Sequence, residues 1–141
     1  MTRVFWDTML FIYLLQDDPE FGERVRHLRT RSLQRGDEIC TSALAVGELL
    51  AGVYRDKSEA EAIRVRDGIV RSGVRILPFD LAASTRFGSI RARYRTSAAD
   101  SIHLACAVTA SVDLFLTGDE GLLKLHVVGI KFIAGINTDL F

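Results

Sequence analysis

Short apolar runs alternate along the chain with longer stretches in which apolar residues return every three or four positions. Val4, Phe5 and Trp6 form one such run, closed by Asp7, and predict a strand at 4–6 followed by a helix over 8–16. Pro19 suits the first turn of a second helix, in which Phe21, Val25, Leu28 and Leu33 punctuate an Arg-rich sequence up to Arg35, where Gly36 and Asp37 stop it. A second strand is expected at 38–41. Ser42 then caps a helix running to about Tyr54, and the charged stretch 56–71 is a further helix, with Ala60, Ile63 and Val70 at helical spacing. After a strand at 74–77, Asp80 caps a helix over 81–94, and another helix begins at Ala98 or Ala99 and ends by Ser111. Strands at 113–116 and 131–133 flank a short helix at 119–125.

Strands that are short, nearly all apolar and separated by helices belong to a parallel sheet covered on both faces. The expected architecture is therefore α/β, a three-layer α/β/α sandwich around a five-stranded parallel sheet. A composition of 48% hydrophobic and 26% charged residues supports a folded globular chain and excludes a disordered one. With 18 basic and 18 acidic residues the net charge is zero, so binding to nucleic acid must come from a local patch. Cys40 and Cys106 lie in apolar runs with no second thiol or His at zinc spacing, which argues for buried inert thiols in a reducing, cytoplasmic setting. The apolar stretch 4–15 contains Asp7 and is too short to span a bilayer, so neither a membrane segment nor a targeting segment is expected.

Against this pattern, four acids are out of place. Asp7 lies between Trp6 and Met9, Glu48 between Val46 and Leu49, and Asp100 between Ala99 and Ile102. Asp119 follows the apolar strand through Thr117 and Gly118. Burying an unpaired carboxylate costs several kcal/mol, so each acid needs a partner or a cation. Ligands of open parallel sheets bind outside the carboxyl ends of the strands, where Asp7 and Asp119 fall; helix N-termini face the same edge, with Asp100 at the start of one helix and Glu48 about two turns into another. A carboxylate cluster without His or Cys is a hard oxygen site for Mg²⁺ or Mn²⁺. Left partly open, such a site activates water and polarises a phosphoryl oxygen for in-line phosphodiester hydrolysis. Helix capping is the alternative for Asp7 and Asp119, a favourable first-turn charge for Asp100, and an internal ion pair for Glu48.

Four segments resemble, in order and spacing, the PIN-domain ribonucleases and among them the VapC-like toxins of toxin-antitoxin pairs. They are Val4 to Thr8, Ser42 to Leu49, Ala99 to Ala105 and Phe115 to Asp119. The resemblance implies one PIN-like domain over 1–141, an RNA substrate and Mg²⁺ or Mn²⁺ dependence. It maps the catalytic, metal-holding acids onto Asp7, Glu48, Asp100 and Asp119, with Thr117 as a supporting hydroxyl. It further implies a homodimer and a cognate antitoxin lying over the active groove. Gly118 departs from the family pattern, where many relatives carry Asn.

Other residues carry weaker signals. His103, three positions after Asp100, reads as a packed histidine with satisfied ring nitrogens rather than as a ligand, while His27 and His126 read as surface residues. The segment 81–99 holds Arg86, Arg91, Arg93 and Arg95 and no acid. Arg91 and Arg95, at i,i+4 on one helix face beside Tyr94, form a candidate RNA phosphate grip, the alternative being a solvated face. Surplus apolar positions near Phe11, Tyr13 and Leu14, and near Leu49, Leu50 and Val53, suggest a protein partner. A receiver-type phosphoacceptor is disfavoured, because the first strand offers one acid and no Lys follows a central strand. A non-catalytic PIN-fold RNA-binding or interaction module has no need of all four acids.

Overall fold

A computed structural model describes residues 2–138. Its five strands, β1 (Arg3–Trp6), β2 (Glu38–Ser42), β3 (Arg75–Leu77), β4 (Leu114–Thr117) and β5 (Phe132–Gly135), form one sheet in the order β3-β2-β1-β4-β5 with every pairing parallel. The three-layer α/β/α reading stands. β1 is central because it is buried on both faces, and strand alternation divides its residues between two cores. Phe5 points to one side with Cys40 and Phe115, while Val4 and Trp6 point to the other with Ile39, Leu114 and Leu116. Opposite each other in register, Phe5 and Phe115 stack with ring centroids 4.6 Å apart.

The helices are α1 (Thr8–Leu15), α2 (Gly22–Arg35), α3 (Ala43–Asp56), α4 (Glu59–Arg71), α5 (Leu81–Arg93), α6 (Ala98–Thr109) and α7 (Glu120–Leu123). Ala83 and Ile90 of α5 and Leu104 to Ala107 of α6 cover the Phe5 face. Leu10, Val25 and Leu28 of α1 and α2 cover the Trp6 face, joined by Leu49 of α3 and Ile69 of α4. Each helix entering from a strand is capped by the first short polar side chain available: Asp7, Ser42, Asp80 and Asp119.

Several boundaries differ from the sequence pattern. α2 begins at Gly22 rather than near Pro19, because the Asp18 carboxylate accepts the Glu20 and Phe21 amides at 3.0 and 2.8 Å and holds Pro19 in a turn. The helix expected over 56–71 starts at Glu59, since Lys57 leaves helical geometry and Ser58 caps the new helix. β3 is a three-residue edge strand with Arg75 and Ile76 exposed, not a buried apolar run. α7 is only four residues long. Both cysteines are buried free thiols, and burial pushes Cys40 up to about 12 and Cys106 to about 11, so neither ionises at neutral pH. Among the described residues no helix is long and apolar enough to cross a membrane.

Candidate active site

β1 and β4 are neighbours in the sheet and end at the same edge, which brings the first acid against the last third of the chain. Asp7 is 7% exposed, and its Oδ1 accepts the Thr8 amide at 2.8 Å while Oδ2 accepts the Thr117 hydroxyl at 2.7 Å. Thr117 is fully buried at the end of β4 and also accepts the Asp119 amide at 3.0 Å. One hydroxyl therefore ties the two strand-end acids together. Asp119 in turn accepts the Gly121 amide at 2.8 Å and starts α7. Asp7 and Asp119 both cap helices, as the alternative reading expected, and the Thr117 hydroxyl also joins them.

Asp100 occupies the first turn of α6, with its amide donating to the capping Ser97 hydroxyl at 3.1 Å. Burial raises its carboxyl above the ordinary range, and the negative charges of Asp7 and Asp119 add to the rise against the opposing Ser97 bond. These three acids thus share one field. Glu48 comes from the second turn of α3 and does not sit as the sequence suggested: its apolar neighbours face inward, and the glutamate itself is on the exposed side of the helix. Of the four acids only Asp7 is buried. Glu48 Oε1 accepts the Thr8 hydroxyl at 2.9 Å and meets His103 Nε2 at 2.8 Å, so it has a neutral and an imidazole partner rather than a Lys or Arg.

His103 is 2% exposed with both ring nitrogens engaged, Nδ1 meeting the Ser42 hydroxyl at 2.7 Å, which agrees with the packed-histidine reading. Its Nε2 also stands 4.0 Å from Asp7 Oδ1. His27 and His126 are exposed, as expected. The sequence reading missed Thr8 and gave Ser42 only a capping role. A hydroxyl close to each acid in sequence, Thr8 beside Asp7, Ser97 before Asp100 and Thr117 before Asp119, was the available signal.

The described residues contain no group of three or more His, Cys, Asp and Glu drawn together at metal-ligating separation. The donor chemistry nonetheless suits a hard cation. Each Asp7 oxygen carries a single hydrogen bond and keeps a lone pair, Glu48 Oε2 has no partner among the described residues, and Asp100 is held in the field of two other carboxylates.

The expected helical face of Arg91 and Arg95 does not form. α5 ends at Arg93, Tyr94 is extended with φ −111° and ψ 142°, and Arg95 lies beyond the helix, so an i,i+4 relation is lost. Both side chains are exposed, and the Arg91 guanidinium bonds the Thr96 carbonyl at the turn leading to Asp100.

Residues 4–127 match the family model of the PIN domain. The chain belongs to the PIN domain family. Its fold is that of solved PIN-fold toxin-antitoxin structures. A chain of the DNA-bound VapBC complex of Salmonella typhimurium aligns over 96% of this chain and 99% of its own length, with a TM-score of 0.75 and 20% identity. A chain of Rickettsia felis VapBC2, bound to a DNA fragment from its promoter, aligns over 95% and 98% with a TM-score of 0.74 and 16% identity. Mycobacterium tuberculosis VapC20, described as a sarcin-ricin loop cleaving toxin, aligns over 79% and 86% with a TM-score of 0.66 and 15% identity. No curated protein matches the sequence. In this PIN domain the acids stand at the C-terminal edge of the sheet, where an open parallel fold leaves room for a ligand.

Proposed function

We propose that this PIN domain is a Mg²⁺- or Mn²⁺-dependent endoribonuclease and the toxin of a toxin-antitoxin pair, the whole chain acting as one domain. The observation that carries the reading is the juxtaposition of Asp7 and Asp119 through the Thr117 hydroxyl at one sheet edge, with Asp100 near enough that their charges add to the rise that burial gives its carboxyl. Acids that repel one another with no Lys or Arg partner among the described residues are stabilised by a bound cation. Asp7, Asp100 and Asp119, with Glu48 through Oε2, would hold it. When bound, the cation supplies Lewis-acid stabilisation of the phosphoryl group and lowers the pKa of water. The chain's own residues orient that chemistry: Thr117 and the Thr8 amide fix the Asp7 carboxylate from two sides, and Arg91 and Arg95, exposed just before Asp100, grip backbone phosphates.

An apolar groove between α1, α2 and α4, lined by Phe11, Leu14, Leu15, Val65 and Ile69, offers an antitoxin a place to dock, in keeping with the likeness to VapBC complexes. A homodimer in the cytoplasm completes the proposal. The rival, a non-catalytic RNA-binding or interaction module, draws support from the capping bonds of Asp7 and Asp119, which give both acids a structural use.

Mapping RNA ends after incubation with the purified chain separates the two. Cleavage needing Mg²⁺ or Mn²⁺ and leaving 5′-phosphate and 3′-hydroxyl ends is expected, with Asp7→Asn, Glu48→Gln and Asp100→Asn each slower by orders of magnitude. Cyclic 2′,3′-phosphate ends, or full activity in EDTA, would sink the mechanism.

A further inference from the structure

We propose that His103 is a positioning residue that, as the Nε2–H tautomer, pins one oxygen of Glu48 and leaves the other as the oxygen that Glu48 presents to the site. The significance of Glu48 rests on the function proposed above, whereas the hydrogen-bond assignment stands on local geometry.

An ionised carboxylate only accepts, so the 2.8 Å contact between His103 Nε2 and Glu48 Oε1 requires a hydrogen on Nε2. At the other end of the ring, Ser42 Oγ already accepts the Ala45 amide at 2.9 Å as the cap of α3. Its hydroxyl hydrogen is free to donate, and His103 Nδ1 lies 2.7 Å away. Ser42 is fully buried and His103 nearly so, which leaves little room for water to replace either partner. The ring therefore accepts at Nδ1 and donates at Nε2. The order of donation runs from Ala45 N–H to Ser42, from Ser42 to His103, and from His103 to Glu48.

Thr8 donates to the same Glu48 oxygen at 2.9 Å from the opposite element, α1. Two donors converging on Oε1 fix the carboxylate plane, and Oε2 has no partner among the described residues. A glutamate otherwise free to rotate on the exposed side of α3 is thus set in one orientation by groups from α1 and α6. The same wiring excludes His103 as a ligand, because Nε2 carries a hydrogen and Nδ1 is engaged. Second partners of this kind orient ligands and tune affinity without touching the bound ion.

Three measurements on the full chain test the assignment. Long-range ¹H–¹⁵N spectra of the histidine rings should give His103 the pattern of a ring protonated only at Nε2; an Nδ1–H pattern, or protons on both nitrogens, overturns the wiring. Mn²⁺ binding, followed by electron paramagnetic resonance of free Mn²⁺, should weaken about tenfold or more in His103→Leu, the usual size of a lost outer partner. His103→Gln, whose amide can donate to Glu48 and accept from Ser42, should recover most of that loss. Equal affinity of His103→Leu and wild type overturns positioning, as does a His103→Gln protein that folds yet binds no better than His103→Leu. A wild type that takes up no Mn²⁺ would instead remove the metal reading of the site, and the ring spectrum would still decide the His103–Glu48 bond.

Discussion

Replacing Thr117 with Val removes the hydroxyl that joins two acids while keeping the shape of a fully buried side chain. The lost bonds are the 2.7 Å donation to Asp7 Oδ2 and the 3.0 Å acceptance of the Asp119 amide. A hydrogen bond to a carboxylate contributes about 1.5–3 kcal/mol and a neutral one about 1 kcal/mol. The smaller cost of desolvating a methyl than a hydroxyl offsets part of this. A net loss of about 2–3 kcal/mol follows from these terms. For a chain of this size that corresponds to about 6–9 °C in melting temperature. Thr117→Ser keeps both bonds and gives up one methyl, worth about 1 kcal/mol. The expected order of stability is therefore wild type, then Ser, then Val. Urea unfolding followed by circular dichroism in EDTA measures it with no cation contributing. If Thr117→Val proves as stable as Thr117→Ser, the hydroxyl does not couple the two strand ends, and the account of how Asp7 is held is wrong. An Asp7→Asn/Thr117→Val double-mutant cycle then locates the coupling, since the second substitution should cost much less once the first is present.

Asp100→Asn should raise the melting temperature in EDTA at pH 7, because a carboxyl held above its ordinary range makes the folded state lose stability as pH rises through its folded value. The advantage should fade as pH falls into the ordinary carboxylate range, and Mn²⁺ should stabilise wild type more than the variant; a lower melting temperature at pH 7 in EDTA would contradict the shared-field account. Gly129→Ala should destabilise by about 1–3 kcal/mol, since Gly129 has φ +99° and a Cβ there would stand 2.8 Å from Val108 Cγ1. Val108→Ala should relieve only the contact, and a thermal melt in which Gly129→Ala matches wild type would refute the strain. The double variant Arg91→Ala/Arg95→Ala should flatten the salt dependence of RNA affinity by about 1.4 in log–log slope, two phosphate contacts on a single strand. An unchanged slope leaves Arg91 as a partner of the Thr96 carbonyl and Arg95 in solvent.

The sheet was readable because each strand is a short apolar run and each helix has its own period, so strand number, order along the chain and the two-faced core follow from residues such as Phe5 and Trp6. Element starts were less readable where side-chain chemistry competes with the helix, as at Asp18, whose carboxylate keeps Pro19 in a turn, and at Lys57. The acids of the candidate site were visible as charges in apolar company. Their exposure was not, because linear neighbours of Glu48 occupy other faces of α3 and say nothing about the face it takes itself. The Thr117–Asp7 bond and the Ser42–His103–Glu48 chain join residues 110, 61 and 55 positions apart, and no local pattern encodes them. Arg95 was misplaced for the opposite reason: its spacing from Arg91 is helical, but the helix ends first.

The strand order has a consequence for timing during synthesis. β1 emerges from the ribosome before the other four strands yet takes the central place, and one of its two edges stays open until β4 is made. A nascent chain ending before Thr117 lacks the hydroxyl that holds Asp7 and has no Asp119 at all, so no product terminated that early carries all four acids. The edge that bears Asp7 and Asp119 is completed late, when β4 pairs alongside β1. Under the function proposed above, an antitoxin has a finished edge to cover only from that moment.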